Sequence, residues 1–173
     1  VLLINDLTAV CASISAIGDE DKICLHSAEA EKGGMIGVVA PGTGLGEGYL
    51  LENNVQFLPQ GSEGGHTDFG PVNAEQLELL DWMQQKFSPV SYEDLIAGPG
   101  VPNLFDFLVE KKEHTPLERI LEEMEQVDDR TPVIFEGAFG EERCPVCRKC
   151  VDLFLQILGS ELGNLAIKLF ATG

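Results

Sequence analysis

Apolar residues open the chain in the run VLLI, which ends at Asn5-Asp6 and predicts a buried strand; LTAVCASISAI then takes helical spacing. Residues 18–33 are polar and rich in Gly, Lys and Glu, which predicts a loop. MIGVVAPG is a short β-branched run, and after GTGLGEG come YLL, ENN and VQFLPQ. Short strands divided by glycines and an Asn-Asn pair predict an antiparallel meander. From residue 73 the spacing becomes helical. Asn73 with Gln76 forms a capping-box start, and Leu77, Leu80, Met83 and Phe87 fall on one face. Ser91 with Asp94 repeats the device, as does Thr115 with Glu118, where Pro116 takes the first helical position. In the last helix Val151, Leu155, Leu158, Leu162, Leu165 and Leu169 form a continuous apolar seam. Gly159 and Gly163 mark places for close packing by another element. Strands first and helices after, without an internal repeat, predict one α/β layered domain over residues 1–173.

Charge narrows the partners. Eleven Lys and Arg stand against 29 Asp and Glu, a net charge of −18. Only Lys22 and Lys32 are basic before residue 86. Nucleic acid and anionic membrane surfaces both need cations, so neither is an expected partner. A phosphate near the N-terminal half must be held by backbone N–H groups or through a metal ion. The longest apolar stretch, VDLFLQILGSELGNLAIKLF, is broken by Asp152, Glu161 and Lys168, which argues against a membrane span. Five cysteines fit reduced thiols and a cytoplasmic location. The chain starts inside an apolar run without Met and stops directly after a helix, which reads as part of a longer protein.

Four stretches carry candidate chemistry. In APGTGLGEG, Gly42, Thr43, Gly44 and Gly46 form either a phosphate-cradling turn or a plain hairpin. It is no P-loop, since no GK[ST] follows. Asn5-Asp6 offers a general base with a neighbouring hydrogen-bonder, or Asp6 is the cap of the helix that follows. SEGGHTDFG places Glu63, His66 and Asp68 among glycines, as a site or as loop polarity; Glu93 in SYED is a weak signal alone, a first-turn acid that suits the helix dipole and needs no further role. Cys144, Cys147 and Cys150 in CPVCRKC step around a helix and converge poorly on one ion, so buried free thiols are expected there, and no metal site.

Taken in order, LLINDLTAV, APGTGLGEGYLL, LPQGSEGGHTDFGP, SYEDLIAGPGVPNLFDFL and GNLAIKLFATG resemble the bacterial-type glucokinases of the hexokinase/actin-like ATPase superfamily. The resemblance implies an α/β, ribonuclease H-like domain: most of the family's large domain, without its small domain and final sheet strands. It implies transfer of the ATP γ-phosphoryl group to the 6-hydroxyl of glucose, with Mg²⁺ held mainly through ATP. On it, Asp6 is the catalytic base; Asn5, Glu63, His66 and Glu93 bind glucose; Gly42, Thr43, Gly44 and Gly46 contact phosphate; and Asp68 is structural. The family's DxGGTxxR phosphate loop does not occur in these residues, so the isolated chain is expected to be inactive. A non-catalytic sugar-binding or regulatory relative is the alternative. A homodimer of the intact protein is the one macromolecular association entertained.

Overall fold

Helix α1, Asp6–Ser13, starts where Asn5 stays extended and its Oδ1 accepts a hydrogen bond from Thr8 N at 3.1 Å. The cap is therefore Asn5; Asp6 occupies the first turn, its Oδ1 accepting from Leu7 N at 2.8 Å. The computed structural model describes residues 3–26, 33–52, 57–112 and 114–172. They divide into two compact units: Val1–Ala40, Gly46–Gly64 and Glu161–Gly173 in the first, Pro41–Leu45 and Gly65–Ser160 in the second.

In the first unit the strand expected of VLLI does not form over its described part. Leu3 and Ile4 are 92% and 58% exposed, and residues 3–5 have no regular structure. A strand needs neighbours for its N–H and C=O groups, and no described strand pairs with these residues. The meander does form, as strands β1 (Met35–Pro41), β2 (Leu45–Glu52) and β3 (Phe57–Ser62) in that order. β2 and β3 are antiparallel, with Glu47 opposite Ser62 and Tyr49 opposite Gln60. The Asn-Asn turn lies outside the described residues, as does most of the predicted loop after Cys24. Helix α1 packs on the sheet through Leu7 and the fully buried Cys11. Gly48 makes room for it: a Cβ there would lie 2.7 Å from both Cys11 Sγ and Gln60 O.

The second unit is helical. α2, Ala74–Met83, has the predicted start, with Asn73 Oδ1 accepting from Gln76 N at 2.9 Å. Its buried face is Gln76, Leu79, Trp82 and Met83, whereas Leu77 is 58% exposed. Trp82 packs edge-on against Phe107 at 5.9 Å, and of the predicted face Met83 is fully buried. α3, Glu93–Ile96, has the reciprocal Ser91–Asp94 bonds expected of SYED, Ser91 N and Oγ both donating to Asp94 Oδ2 at 2.8 and 2.7 Å. α4 spans Val101–Glu110 and α5 spans Glu118–Met124. α5 starts later than predicted, because Leu117 remains extended and no side chain caps it. α6, Thr131–Phe139, and α7, Pro145–Leu169, complete the set.

The seam predicted for α7 is displaced. Leu155 and Leu162 are half-exposed, while Cys147, Cys150, Leu153, Phe154, Ile157, Glu161 and Leu165 are buried. A true 3.6-residue turn drifts away from a strict seven-residue repeat, and the inward row passes through Glu161. Nothing lies within 4 Å of a Cβ built at Gly159 or Gly163, so neither is a close-packing site among the described residues. By length and composition α7 is the one described helix able to cross a membrane. Its buried row and its ion-paired Glu161 instead mark a core helix. Cys144, Cys147 and Cys150 are fully buried, and burial pushes the Cys147 thiol up to about 12. Among the described residues no cluster of His, Cys, Asp and Glu is arranged to hold a metal ion.

Two buried carboxylates face the first unit's core. Glu161 accepts from Asn164 Nδ2 at 3.0 Å and Lys168 Nζ at 3.1 Å. Glu47 is 1% exposed, and its Oε1 has no hydrogen-bond partner among the described residues. Burial first, and the Glu161 charge second, push the Glu47 carboxyl above its ordinary range, with Lys168 opposing. The folded state thus favours protonated Glu47. Its contribution to stability is present below the ordinary glutamate pKa of about 4.3 and is lost as pH rises through the folded value. Glu47→Gln, a neutral isostere, is expected to melt higher than the wild type at about pH 8 and at the same temperature near about pH 4. Thermal denaturation at both pH values checks this; a lower melting temperature at about pH 8 would contradict it.

Candidate functional site

The turn between β1 and β2 is Gly42–Gly44, with Gly42 N donating to Gly44 O at 2.8 Å and Thr43 exposed at its tip. Gly46 stands outside this turn, inside β2, where a Cβ would lie 3.0 Å from Leu7 Cδ1. Glu93, in the first turn of α3, reaches the far end of the turn: its Oε2 accepts from Leu45 N at 2.8 Å. Its other oxygen, Oε1, is 3.7 Å from Nδ1 of His66. Gly44 leaves space for that carboxylate, since a Cβ there would lie 2.7 Å from Glu93 Oε2. One carboxylate thus joins a glycine turn to a histidine.

SEGGHTDFG is held beside α3 by its backbone. Phe69 N donates to Val90 O at 2.9 Å and Tyr92 N to Thr67 O at 3.1 Å, with Asp68 bridging Ser91. Gly64–His66 forms a short 3-10 turn. Gly65 is pressed against the backbone of Leu45, whose carbonyl oxygen would be 2.2 Å from an added Cβ. Only glycine permits that approach, and it delivers His66 to Glu93.

The second unit therefore brings Gly42, Thr43, Gly44, His66 and Glu93 together. Thr43 and Glu93 share the lining of a cavity of about 130 Å³ with Asp94 and Asn103. Thr43 also borders a larger one of about 570 Å³, with Gly42, Gly98, Pro99, Asp129 and Arg130. The first unit holds Asn5, Asp6, Glu63 and Gly46. Asn5 Oδ1 would be 3.0 Å from a Cβ on Gly61, so Asn5 sits against the end of β3 that leads to the exposed Glu63. Sequence reasoning missed two elements of the site. One is the Leu45 amide, because backbone donors carry no residue signature. The other is the Ala97–Gly100 turn, whose Gly98 N donates to Gly42 O at 2.7 Å; its AGPG motif was visible, but its grip on the turn 56 residues earlier was not.

The second unit's part of the candidate site is thus a glycine turn, a carboxylate that accepts from the amide at its far end, and a histidine 3.7 Å from that carboxylate. The glucokinase family model matches residues 1–173. The chain is 34% identical to the glucokinase of Tolumonas auensis over 171 residues, 99% of this chain and 50% of that one. It is also 34% identical to the glucokinase of Colwellia psychrerythraea, across 95% of this chain and 48% of its relative. Among solved structures, glucokinase from an Antarctic psychrotroph superposes with a TM-score of 0.82 at 26% identity, covering 98% of this chain and 49% of the other. Glucokinase from Balamuthia mandrillaris in complex with glucose gives 0.72 at 25% identity, over 97% and 48%. The chain belongs to the glucokinase family, and its α/β fold is a partial actin-like ATPase domain. It spans about half the length of these relatives.

Proposed function

We propose that these residues serve ATP-dependent phosphorylation of glucose at its 6-hydroxyl, as most of the large domain of a glucokinase. The carrying observation is the Glu93 carboxylate, which holds the Leu45 amide at the end of the glycine turn and faces His66. Carboxylates and imidazole suit a sugar because each buried hydroxyl left unpaired costs about 1–3 kcal/mol. Asn5, Glu63, His66 and Glu93 are assigned to the sugar's hydroxyls, and Asp6 to the proton of the attacking one. A base within reach of that proton typically contributes about 10²–10⁴-fold.

The Gly42–Gly44 turn fits a phosphate group. Thr43 is exposed at its tip, and Glu93 Oε2 takes the space beside Gly44. Thr43 Oγ1 and the N–H groups of Thr43 and Gly44 would hold the donor's phosphates, the Gly42 and Leu45 amides being engaged within the protein; ATP supplies the transferred group, with Mg²⁺ to offset its charge. Gly46 lies inside β2, where it leaves space for Leu7 of α1. A cytoplasmic location accompanies this function, supported by five free cysteines. Coupled detection of glucose 6-phosphate and ADP by the complete protein tests it. Turnover with glucose and none with 6-deoxyglucose is expected; absence of turnover with glucose would overturn it.

A further inference from the structure

The proposed phosphate turn has a second support that comes from far along the chain. Gly42 O accepts from Gly98 N at 2.7 Å, so the AGPG turn grips the glycine turn from below. Gly98 has its own carbonyl pinned: Thr131 Oγ1 donates to Gly98 O at 2.6 Å. Both sides of Gly98 are thus engaged, one by the turn and one by the first residue of α6. The contact is close, since a Cβ on Gly98 would come within 3.1 Å of Gly42 O.

Thr131 is held unusually well for a helix-start hydroxyl. Asp129 Oδ1 accepts from Thr131 N at 2.9 Å, which satisfies the amide and leaves the hydroxyl available. Arg130 makes a two-pronged pair with Asp106 on α4, both N···O distances 2.8 Å, with the pair only partly exposed. A bidentate guanidinium–carboxylate pair fixes direction as well as distance. Three successive side chains therefore anchor the α6 start, and the Thr131 hydroxyl carries that anchoring to Gly98, the partner of the turn. The cavity of about 570 Å³ beside it is lined by Gly42, Thr43, Gly98 and Arg130, parts of the same chain of contacts.

We propose that Thr131 is a positioning residue for the phosphate donor: through Gly98 it sets where the Thr43 side chain and the Thr43 and Gly44 amides stand. It touches no substrate itself. This rests on the assignment of that turn to the donor's phosphates, so the test includes a separate probe of the turn, Thr43→Ala. In the complete protein, Thr131→Val keeps the shape and removes the donor, while Thr131→Ser keeps the donor. Thr131→Val is expected to raise KM for ATP by up to about tenfold, the scale of one partly buried hydrogen bond. KM for glucose should stay within about twofold, and Thr131→Ser should restore the wild-type value. A wild-type ATP KM in Thr131→Val, beside a raised one in Thr43→Ala, overturns the positioning role and leaves the turn's assignment standing. Equal rises in both KM values, or no rescue by Ser, show a merely structural threonine and overturn it as well. An unchanged ATP KM in Thr43→Ala removes the turn's assignment and the proposal with it.

Discussion

Asp6→Asn in the complete protein is expected to lower kcat for glucose phosphorylation by about 10²–10⁴-fold while glucose KM stays within a few-fold. Asn matches Asp in shape and still accepts from the Leu7 amide, so α1 keeps its first turn. The amide cannot take a proton from the sugar's 6-hydroxyl. The helix cap is not at stake either, because Asn5 provides it by accepting from Thr8 N. That separation matters: a loss of activity in Asp6→Asn cannot be ascribed to an unravelled helix start. Steady-state kinetics with both substrates check the prediction, and an unchanged kcat would refute the base assignment.

Gly65→Ala is expected to raise glucose KM by tenfold or more. The added Cβ would meet a backbone oxygen, Leu45 O, at 2.2 Å, and Leu45 Cβ at 2.8 Å. A flexible side chain could swing away from such a clash, but a carbonyl in a sheet cannot do so cheaply. Overpacking of this kind typically costs about 1–3 kcal/mol, and about 1.4 kcal/mol is already tenfold in affinity. Either His66 moves away from Glu93, or Leu45 moves and releases its amide from Glu93 Oε2. Both routes damage the sugar-facing groups. Gly44→Ala is a milder case, since its Cβ meets only the end of the Glu93 side chain. Glucose KM values for the two variants should rank Gly65→Ala above Gly44→Ala; the reverse order would contradict the geometry.

What could be read from the sequence is what is decided locally. Asn73 with Gln76 and Ser91 with Asp94 hydrogen-bond within three residues, and both starts were legible as spacings. The meander was legible because β-branched runs and glycine turns suffice to set it. The strand expected of VLLI depended on partners that local pattern cannot supply, and Leu3 and Ile4 stand exposed instead. The α7 seam failed because the leucines alone suggested a seven-residue repeat, while the buried row includes the charged Glu161. Glu161 is legible as a core residue only once Asn164 and Lys168 are seen to satisfy it. At the site, His66 and Glu93 were singled out by the family resemblance, since by residue type alone they equally fit loop polarity and a first-turn acid. Their convergence was not legible, because it runs through a backbone amide at Leu45 and through Gly65, whose role is the absence of a Cβ. The Thr131–Gly98 bond joins residues 33 apart by a hydroxyl and a carbonyl, which no motif announces.

The measurement closest to the centre of this account is a calorimetric glucose titration of the complete protein beside its Glu93→Gln variant. Glutamine keeps the size of the side chain and can still accept from the Leu45 amide, but it loses the charge and the second acceptor facing His66. Glucose affinity is predicted to fall at least tenfold in the variant, with its melting temperature within a few degrees of the wild type. A variant that binds glucose as tightly as the wild type would mean that Glu93 only braces the turn, and would contradict the assignment of this carboxylate to the sugar.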